Sequence, residues 1–282
     1  MNSPQPLVSV GMPVFNEAAH LAEALTSLLT QSYRNLQVVV CDNASTDATA
    51  TIAHDFAKRD PRVRVIVQPG NLGAAANFEA ALAHADGQYF MWAAGHDLWS
   101  PDFVRSCVAA LEANPDAVLA CGQSGWFADH PEEGITACAA YSTRGLAPIA
   151  RFMTVLHGNM HPIYGLICCE TLQSTGGVPR MVGADLALLT RLAWRGEFLC
   201  VPDGWWYRRR MHGEERYGDK LARYRSQRYQ LTGGSLARVS PLAPLIWELL
   251  RQCLTEPRGV LKRLALLGAL PFLMGLRWLE RD

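Results

Sequence analysis

The first hundred residues alternate short apolar runs with longer stretches in which apolar residues recur every three or four positions. Leu7–Val10, Leu36–Cys41, Val63–Val67 and Tyr89–Ala93 have the length and the β-branched or aromatic content of buried strands. Between the first two, Ala18, Leu21, Ala22, Leu25, Leu28 and Leu29 fall at helical spacing and form one apolar face. Ala48, Ile52 and Phe56 mark a second helix, with Ser45, Thr46 and Asp47 available to cap it; Phe78, Leu82 and Ala85 mark a third. Ser100-Pro101-Asp102 sets a cap residue before a proline at the first helical position, ahead of Val104, Cys107, Val108 and Leu111. Strands alternating with helices predict an α/β fold whose mostly parallel sheet is covered on both faces. In such a sheet ligands bind outside the carboxyl ends of the strands.

After about residue 115 the rhythm loosens. Residues 122–148 are rich in Gly, Pro, Ser, Thr and Ala, which predicts a long surface loop. Ile163–Cys169 reads as a further buried strand, and Asp185–Trp194 as a helix carrying Leu189, Leu192 and Ala193. Arg208–Arg228 holds eight Lys or Arg against three acids. Leu264–Leu276 is thirteen residues without a charge and contains Pro271. That is short of the roughly 20 apolar residues needed to span a bilayer. Together with the basic segment it suggests peripheral attachment to an anionic membrane face, or a helix packed on the domain or on a second copy.

Composition narrows the class. Hydrophobic residues at 49% against 18% charged supply a sizeable core and exclude a disordered chain. Lys plus Arg (26) balances Asp plus Glu (26), so nucleic acid is not expected as the partner. The eight cysteines form no C-x-x-C pair, and Cys168 and Cys169 are adjacent, which suits neither a zinc ribbon nor an ordinary disulfide. A reduced, cytoplasmic protein is expected. The opening MNSPQPLVSV has neither the basic nor the apolar region of a secretory signal.

Each predicted N-terminal strand is followed by a polar cluster: Met12-Pro13-Val14-Phe15-Asn16-Glu17, Asp42-Asn43-Ala44-Ser45-Thr46-Asp47, Asn71-Leu72-Gly73 and Gly95-His96-Asp97. Any one of them reads equally as a turn or a helix cap: helix capping for Asn16 and Glu17, an Asx-turn for Asp42, a helix start for Asp97 and Asp185. Four on one rim of one sheet point to a binding site. No glycine-rich phosphate loop, dinucleotide fingerprint or nucleophile elbow is present.

The order Pro13-x-x-Asn16-Glu17, Asp42 to Asp47, Asn71-x-Gly73, Gly87-x-Tyr89 and His96-Asp97 resembles glycosyltransferase family 2, over roughly residues 7–210. The resemblance implies a GT-A fold, a Rossmann-like mostly parallel sheet with helices on both faces, followed here by a C-terminal helical extension. It implies a donor-binding half at 1–115, an acceptor-binding half of the same domain at 116–210, and a basic and apolar helical extension at 211–282. The activity implied is inverting transfer of a sugar from a nucleoside diphosphate to a saccharide or lipid-linked acceptor hydroxyl, in surface polysaccharide or glycolipid synthesis.

Within that frame Pro13, Phe15, Asn16, Glu17, Asp42, Asn43, Asn71, Gly73 and Arg210 are expected to hold the donor. Asp42 could accept the ring N–H of a uracil or thymine, so UDP- or dTDP-linked sugars are expected. Relatives end the fourth strand in an acidic pair that binds a divalent cation; here His96 stands where an acid is usual. His96, Asp97 and His212 are then the expected metal residues, with Mn²⁺ ahead of Mg²⁺ because imidazole suits Mg²⁺ poorly. Asp185 matches the family's general base, although Ala184 replaces the usual preceding Glu. His161 and Trp205 are expected on the acceptor side. Arg208-Arg209-Arg210 and His212, after Trp205-Trp206-Tyr207, resemble the loop that closes over the diphosphate. A catalytically silent nucleotide-sugar binder of the same fold is the alternative, suggested by Ala94-Gly95-His96. A sugar-phosphate nucleotidyltransferase would need a basic, glycine-rich loop that Gly11-Met12-Pro13 does not supply.

Overall fold

The computed structural model describes residues 5–211, 242–257 and 259–279. Its N-terminal part runs β1 (Val8–Val14), α1 (Leu21–Leu29), β2 (Leu36–Asp42), α2 (Thr49–Arg59), β3 (Val63–Val67), α3 (Ala74–Ala83) and β4 (Tyr89–Trp92). Then come β5 (Leu98–Trp99), α4 (Phe103–Glu112), β6 (Ala117–Phe127), β7 (Thr136–Cys138), α5 (Pro148–His157), a 3₁₀ turn at His161–Tyr164, β8 (Leu166–Cys168), α6 (Cys169–Ser174), α7 (Ala184–Arg195) and β9 (Glu197–Arg209). Two helices complete the described chain: α8 (Ala243–Thr255) and α9 (Val260–Leu279).

The sheet order is β3-β2-β1-β4-β8-β6-β9-β5, with β7 paired to β6. Strands β3, β2, β1 and β4 are mutually parallel, so their carboxyl ends and following polar clusters share one rim. Strand β8 then runs antiparallel to both β4 and β6, while β6 and β9 are parallel to each other. Each face is covered. Leu21, Leu25 and Leu28 of α1 and Phe103, Val104 and Cys107 of α4 pack with Val8, Val10 and Val38 on one side. Phe78 of α3 and Leu188, Leu189 and Leu192 of α7 pack with Phe90, Trp92 and Phe198 on the other. Behind α7 lies a third layer, in which Leu245 and Leu249 of α8 and Leu266 and Leu270 of α9 meet Phe152 and Leu186.

Three expectations need correction. Residues 122–148 are not one loop: β6 runs to Phe127 as an inner strand and β7 pairs with it. Gly122 and Gly125 hid the strand from propensity, but they are there for close packing. A Cβ on Gly122 would sit 2.2 Å from the Gly204 carbonyl oxygen, and one on Gly125 would sit 2.1 Å from Ile135 Cγ2. The apolar run Ile163–Cys169 divides into a 3₁₀ turn, three strand residues and the start of α6. Ser100 does not cap α4, which begins at Phe103; its hydroxyl instead accepts the Trp205 N–H at 2.9 Å.

Candidate functional site

The three loops after β1, β2 and β3 are clasped by their own polar side chains. The Asn16 N–H donates to Ser45 Oγ at 2.9 Å, and Asn16 Oδ1 accepts the Thr46 N–H at 2.9 Å. Glu17 N–H donates to Thr49 Oγ1 at 2.8 Å. Asn43 Oδ1 accepts the Leu72 N–H at 2.9 Å while its amide donates to Asn71 Oδ1 at 3.0 Å. Two non-glycine residues of these loops, Asn16 (φ 56°) and Ala44 (φ 60°), are left-handed, as is Gly73 (φ 82°). Such conformations cost about 1 kcal/mol or more each for a side chain and gather where a loop is shaped for a ligand.

Above the rim lie two adjoining cavities. The smaller, about 540 Å³, is lined by Pro13, Phe15, Glu17, Asn43, Asn71, Gly73 and His96, all expected from the sequence. The larger, about 770 Å³, reaches His161 and Asp185. Asn71, Gly73, Ala74, Phe78 and Tyr164 line both, so the two form one cleft of the size that small ligands occupy.

Other expected residues lie elsewhere. Asp42 is buried beneath the rim, where it accepts the Ser45 N–H and hydroxyl, so the Asx-turn geometry is present. Asp97 is also buried. Its Oδ2 accepts the Trp206 indole N–H at 2.9 Å and its Oδ1 the Arg209 N–H at 2.9 Å, so it ties the turn after β4 to β9 rather than capping α4. Trp205 faces away from the cleft, its ring parallel to that of Tyr207 at 6.1 Å; strand alternation brings Trp206 and Arg208 in instead. Arg210 is exposed and reaches Thr136 Oγ1 at 3.4 Å. His212 lies outside the described residues.

His96 Nδ1 meets Glu17 Oε1 at 2.9 Å. Burial works to lower the His96 pKa, but the Glu17 bond and the Asp97 and Glu17 charges outweigh it, and the pKa is raised. Burial raises that of Asp97, against the pull of His96 and its two donors. Gly95 permits this close approach, because a Cβ there would stand 2.8 Å from Val14 Cγ1 and 3.1 Å from Glu17 Cγ.

Part of the expected donor set for a divalent cation is engaged in the fold. Both Asp97 oxygens and one His96 nitrogen have partners, and the described residues include no group of three His, Cys, Asp or Glu that could hold a metal ion. His212, the third residue expected at such a site, lies outside the described residues, and Glu17 Oε2 beside His96 is buried without a partner.

Asp185 stands in the first turn of α7, after Gly183 in the left-handed conformation (φ 76°), and its Oδ1 accepts the Leu186 N–H at 2.8 Å. Sequence reasoning missed Asn77 and Tyr164, and from the aromatic and arginine triplets it chose Trp205 and Arg210 where Trp206 and Arg208 line the cavity. Asn77 is 3% exposed, donates to the Cys41 carbonyl at 2.8 Å and leaves its Oδ1 without a partner; Glu17 Oε2 is likewise buried and unpartnered. The signal for Asn77 was an amide among alanines on α3, four residues after Gly73 and four before the buried Ala81. Tyr164 leans on Trp206 with ring centroids 4.5 Å apart, and burial, then the Asp97 charge, push its hydroxyl pKa up.

Residues 9–143 match the family model described as glycosyl transferase family 2. Putative glycosyltransferase EpsE of Bacillus subtilis is 41% identical over 113 residues, 40% of this chain and 40% of that protein. An uncharacterized glycosyltransferase of Haemophilus influenzae is 32% identical over 117 residues, 42% of this chain and 36% of its own length. The chondroitin synthase of Pasteurella multocida is 34% identical over 116 residues, 41% of this chain but 12% of the synthase. The chain thus spans 40% or less of the length of these relatives. Among solved structures, S. aureus TarS 1-349 in complex with UDP superposes with a TM-score of 0.62 at 13% identity, over 88% of this chain and 82% of that one. The mannosyltransferase PcManGT from Pyrobaculum calidifontis, in complex with GDP-Man and Mn²⁺, gives 0.57 at 23% identity, over 95% and 75%. These likenesses show the GT-A fold.

Proposed function

Because the chain belongs, through residues 9–143, to glycosyl transferase family 2, we propose that it moves a sugar from a nucleoside diphosphate to an acceptor hydroxyl in this cleft. The observation that carries this reading is the continuity of the two cavities. The clasped loops of three parallel strands line one, Asp185 lines the other, and Tyr164 stands at the junction.

The nucleotide lies in the smaller cavity, against Pro13, Phe15 and Asn43, with its diphosphate toward His96. Asp42 recognises the base by exchanging its Ser45 bond for the ring N–H of a uracil or thymine. The acceptor enters the larger cavity beside His161. Its hydroxyl oxygen attacks the anomeric carbon from the face opposite the diphosphate. As that C–O bond forms, the bond to the phosphate oxygen breaks and the hydroxyl proton passes to the Asp185 carboxylate. The configuration inverts and a nucleoside diphosphate leaves. General-base assistance of this kind contributes roughly 10²–10⁴-fold. A divalent cation would supply charge to the leaving group when bound, but no step here is routed through one. The test is donor turnover: incubation with UDP- and dTDP-sugars should release nucleoside diphosphate slowly, faster with an acceptor present.

A silent, donor-binding protein is the second reading, favoured by the engaged Asp97 and by Ala184. Donor binding without release of nucleoside diphosphate would select it.

No helix among the described residues is long and apolar enough to cross a membrane. A cytoplasmic enzyme touching the inner membrane face fits the outward side of α8 and α9. Exposed Ile246, Trp247, Leu254, Leu261, Leu264 and Phe272 lie there with Lys262, while Leu266, Leu270 and Leu273 are buried inward. A helix apolar on both sides has a second surface to cover. Exposed cations and an interfacial Trp suit an anionic bilayer.

A further inference from the structure

Five residues line both cavities and so surround the place where they meet: Asn71, Gly73, Ala74, Phe78 and Tyr164. Gly73, Ala74 and Phe78 carry no side-chain hydrogen-bonding group. Asn71 is exposed, and its Oδ1 already accepts the Asn43 amide at 3.0 Å and the Gly73 N–H at 2.9 Å. Tyr164 is half-buried, and among the described residues its hydroxyl has no hydrogen-bond partner. Its ring is nevertheless fixed. Tyr164 ends the 3₁₀ turn, and Gly165 after it lets that turn press on β6, because a Cβ there would stand 2.7 Å from the Ala120 carbonyl oxygen. The ring leans on Trp206, whose indole is held by Asp97, and packs against the cores on both faces of the sheet. Burial first, then the Asp97 charge and less strongly that of Asp185, raise the phenol pKa against the opposing charge of Arg208. The hydroxyl therefore keeps its proton and can donate it.

A rigid hydroxyl on a cavity wall, with no protein partner, takes its partner from whatever fills the cavity. The inference rests on the transferase reading, in which the nucleotide fills the smaller cavity and the acceptor the larger. The anomeric carbon must then lie between them, so the sugar being transferred occupies the junction. We propose that Tyr164 is a specificity-determining residue that reads this sugar, its hydroxyl donating a hydrogen bond to a hydroxyl or acetamido oxygen on the ring. Epimeric sugars differ only in the direction of one oxygen. A single fixed donor separates them, because the wrong epimer leaves that donor unpaired in a site closed to water.

The test is calorimetry, with Mn²⁺ present, on the wild-type chain and Tyr164→Phe, which keeps the ring and removes only the hydroxyl. The probes are UDP, dTDP and GDP beside UDP-glucose, UDP-galactose, UDP-N-acetylglucosamine, dTDP-glucose and GDP-mannose. Tyr164→Phe should bind the free nucleotides as the wild type does and weaken the best-bound nucleotide sugar about two- to tenfold. Deoxy analogues of that sugar then find the oxygen: the analogue lacking it should bind both chains equally, while the others keep the gap. Equal affinity of both chains for every nucleotide sugar overturns the proposal and, where a free nucleotide still binds, leaves the donor reading intact. A loss for the free nucleotide as large as for its sugar conjugate overturns it too, by moving the hydroxyl onto the nucleotide. A wild-type chain that binds none of the probes overturns both readings. A Tyr164→Phe chain that does not fold would show that the hydroxyl serves the fold, and would end the proposal as well.

Discussion

Trp206 donates its indole N–H to Asp97 Oδ2 at 2.9 Å, a bond between residues 109 apart in the chain. With the Arg209 N–H on the other oxygen, it joins the turn after β4 to β9. The same strand register that lays Trp206 over Asp97 turns Arg208 into the larger cavity. The carboxylate offered by the Gly95-His96-Asp97 spacing therefore ties the turn after β4 to the strand that carries Trp206 into the cleft.

Breaking that bond should loosen this join. Asp97→Asn presents an amide to two donors, and Trp206→Phe leaves a buried carboxylate oxygen unpaired. Each should destabilise by roughly 1–3 kcal/mol. That corresponds to a fall of about 2–4 °C in Tm per kcal/mol for a domain of this size. Thermal unfolding of both variants and of the pair checks it: the double variant should lose clearly less than the sum. Additive losses would mean the two side chains do not interact.

Asp185→Asn keeps the side chain's size but cannot take the acceptor's proton. Turnover should fall by about 10²–10⁴-fold or more with donor affinity nearly unchanged. Initial rates and donor calorimetry on the same preparation separate the two. Near-normal turnover by folded Asp185→Asn would end the base assignment.

Asp42→Asn should act on the donor first. Losing a hydrogen bond to a charged group is worth roughly 1.5–3 kcal/mol, or about 10- to 100-fold in nucleoside diphosphate affinity. Ser45→Ala removes the residue that occupies the carboxylate, so affinity should hold or rise. If both variants bind as tightly as the wild type, Asp42 only shapes its loop.

Glu248 on α8 should contribute to stability in acid. Burial works to raise its pKa, but bonds from Arg251, Arg191 and Gln252 prevail and bring it from 4.5 to about 2. A depressed folded pKa contributes stability above the unfolded value, lost as pH falls from 4.5 toward 2. Discounted for solvent around Arg251, the contribution is about 2 kcal/mol. Glu248→Gln should lower Tm at neutral pH and flatten its decline across that acid window. An unchanged pH profile would show that the α7–α8 ion pairs contribute nothing.

The outward face of α9 should bind anionic vesicles. Leu261→Asp with Leu264→Asp should abolish flotation with phosphatidylserine liposomes and leave Tm within a few degrees, since both side chains are exposed. Flotation equal to wild type would place the membrane contact elsewhere; a wild-type dimer that the double variant dissolves would assign the face to a second copy.

What could be read from the chain follows from the range of the forces involved. Helix periodicity in α1 and α4 and apolar runs in β1, β2 and β4 are local. So are the turn chemistries of Asn16, Asn43 and Gly73, and these identified the rim and most of the smaller cavity. Strands β6 and β9 were not legible, because Gly122, Gly125 and Gly204 weaken their local preference and pairing across some eighty residues holds them. That pairing alone decided that Trp206 and Arg208, rather than Trp205, face the cleft; Arg210 lies past the end of β9 and is exposed. A one-residue change of register reverses every side chain, and no local pattern in Trp205-Trp206-Tyr207 marks which side is inward. It also decided that Asp97 meets Trp206, since a buried carboxylate takes the donors that tertiary packing brings to it.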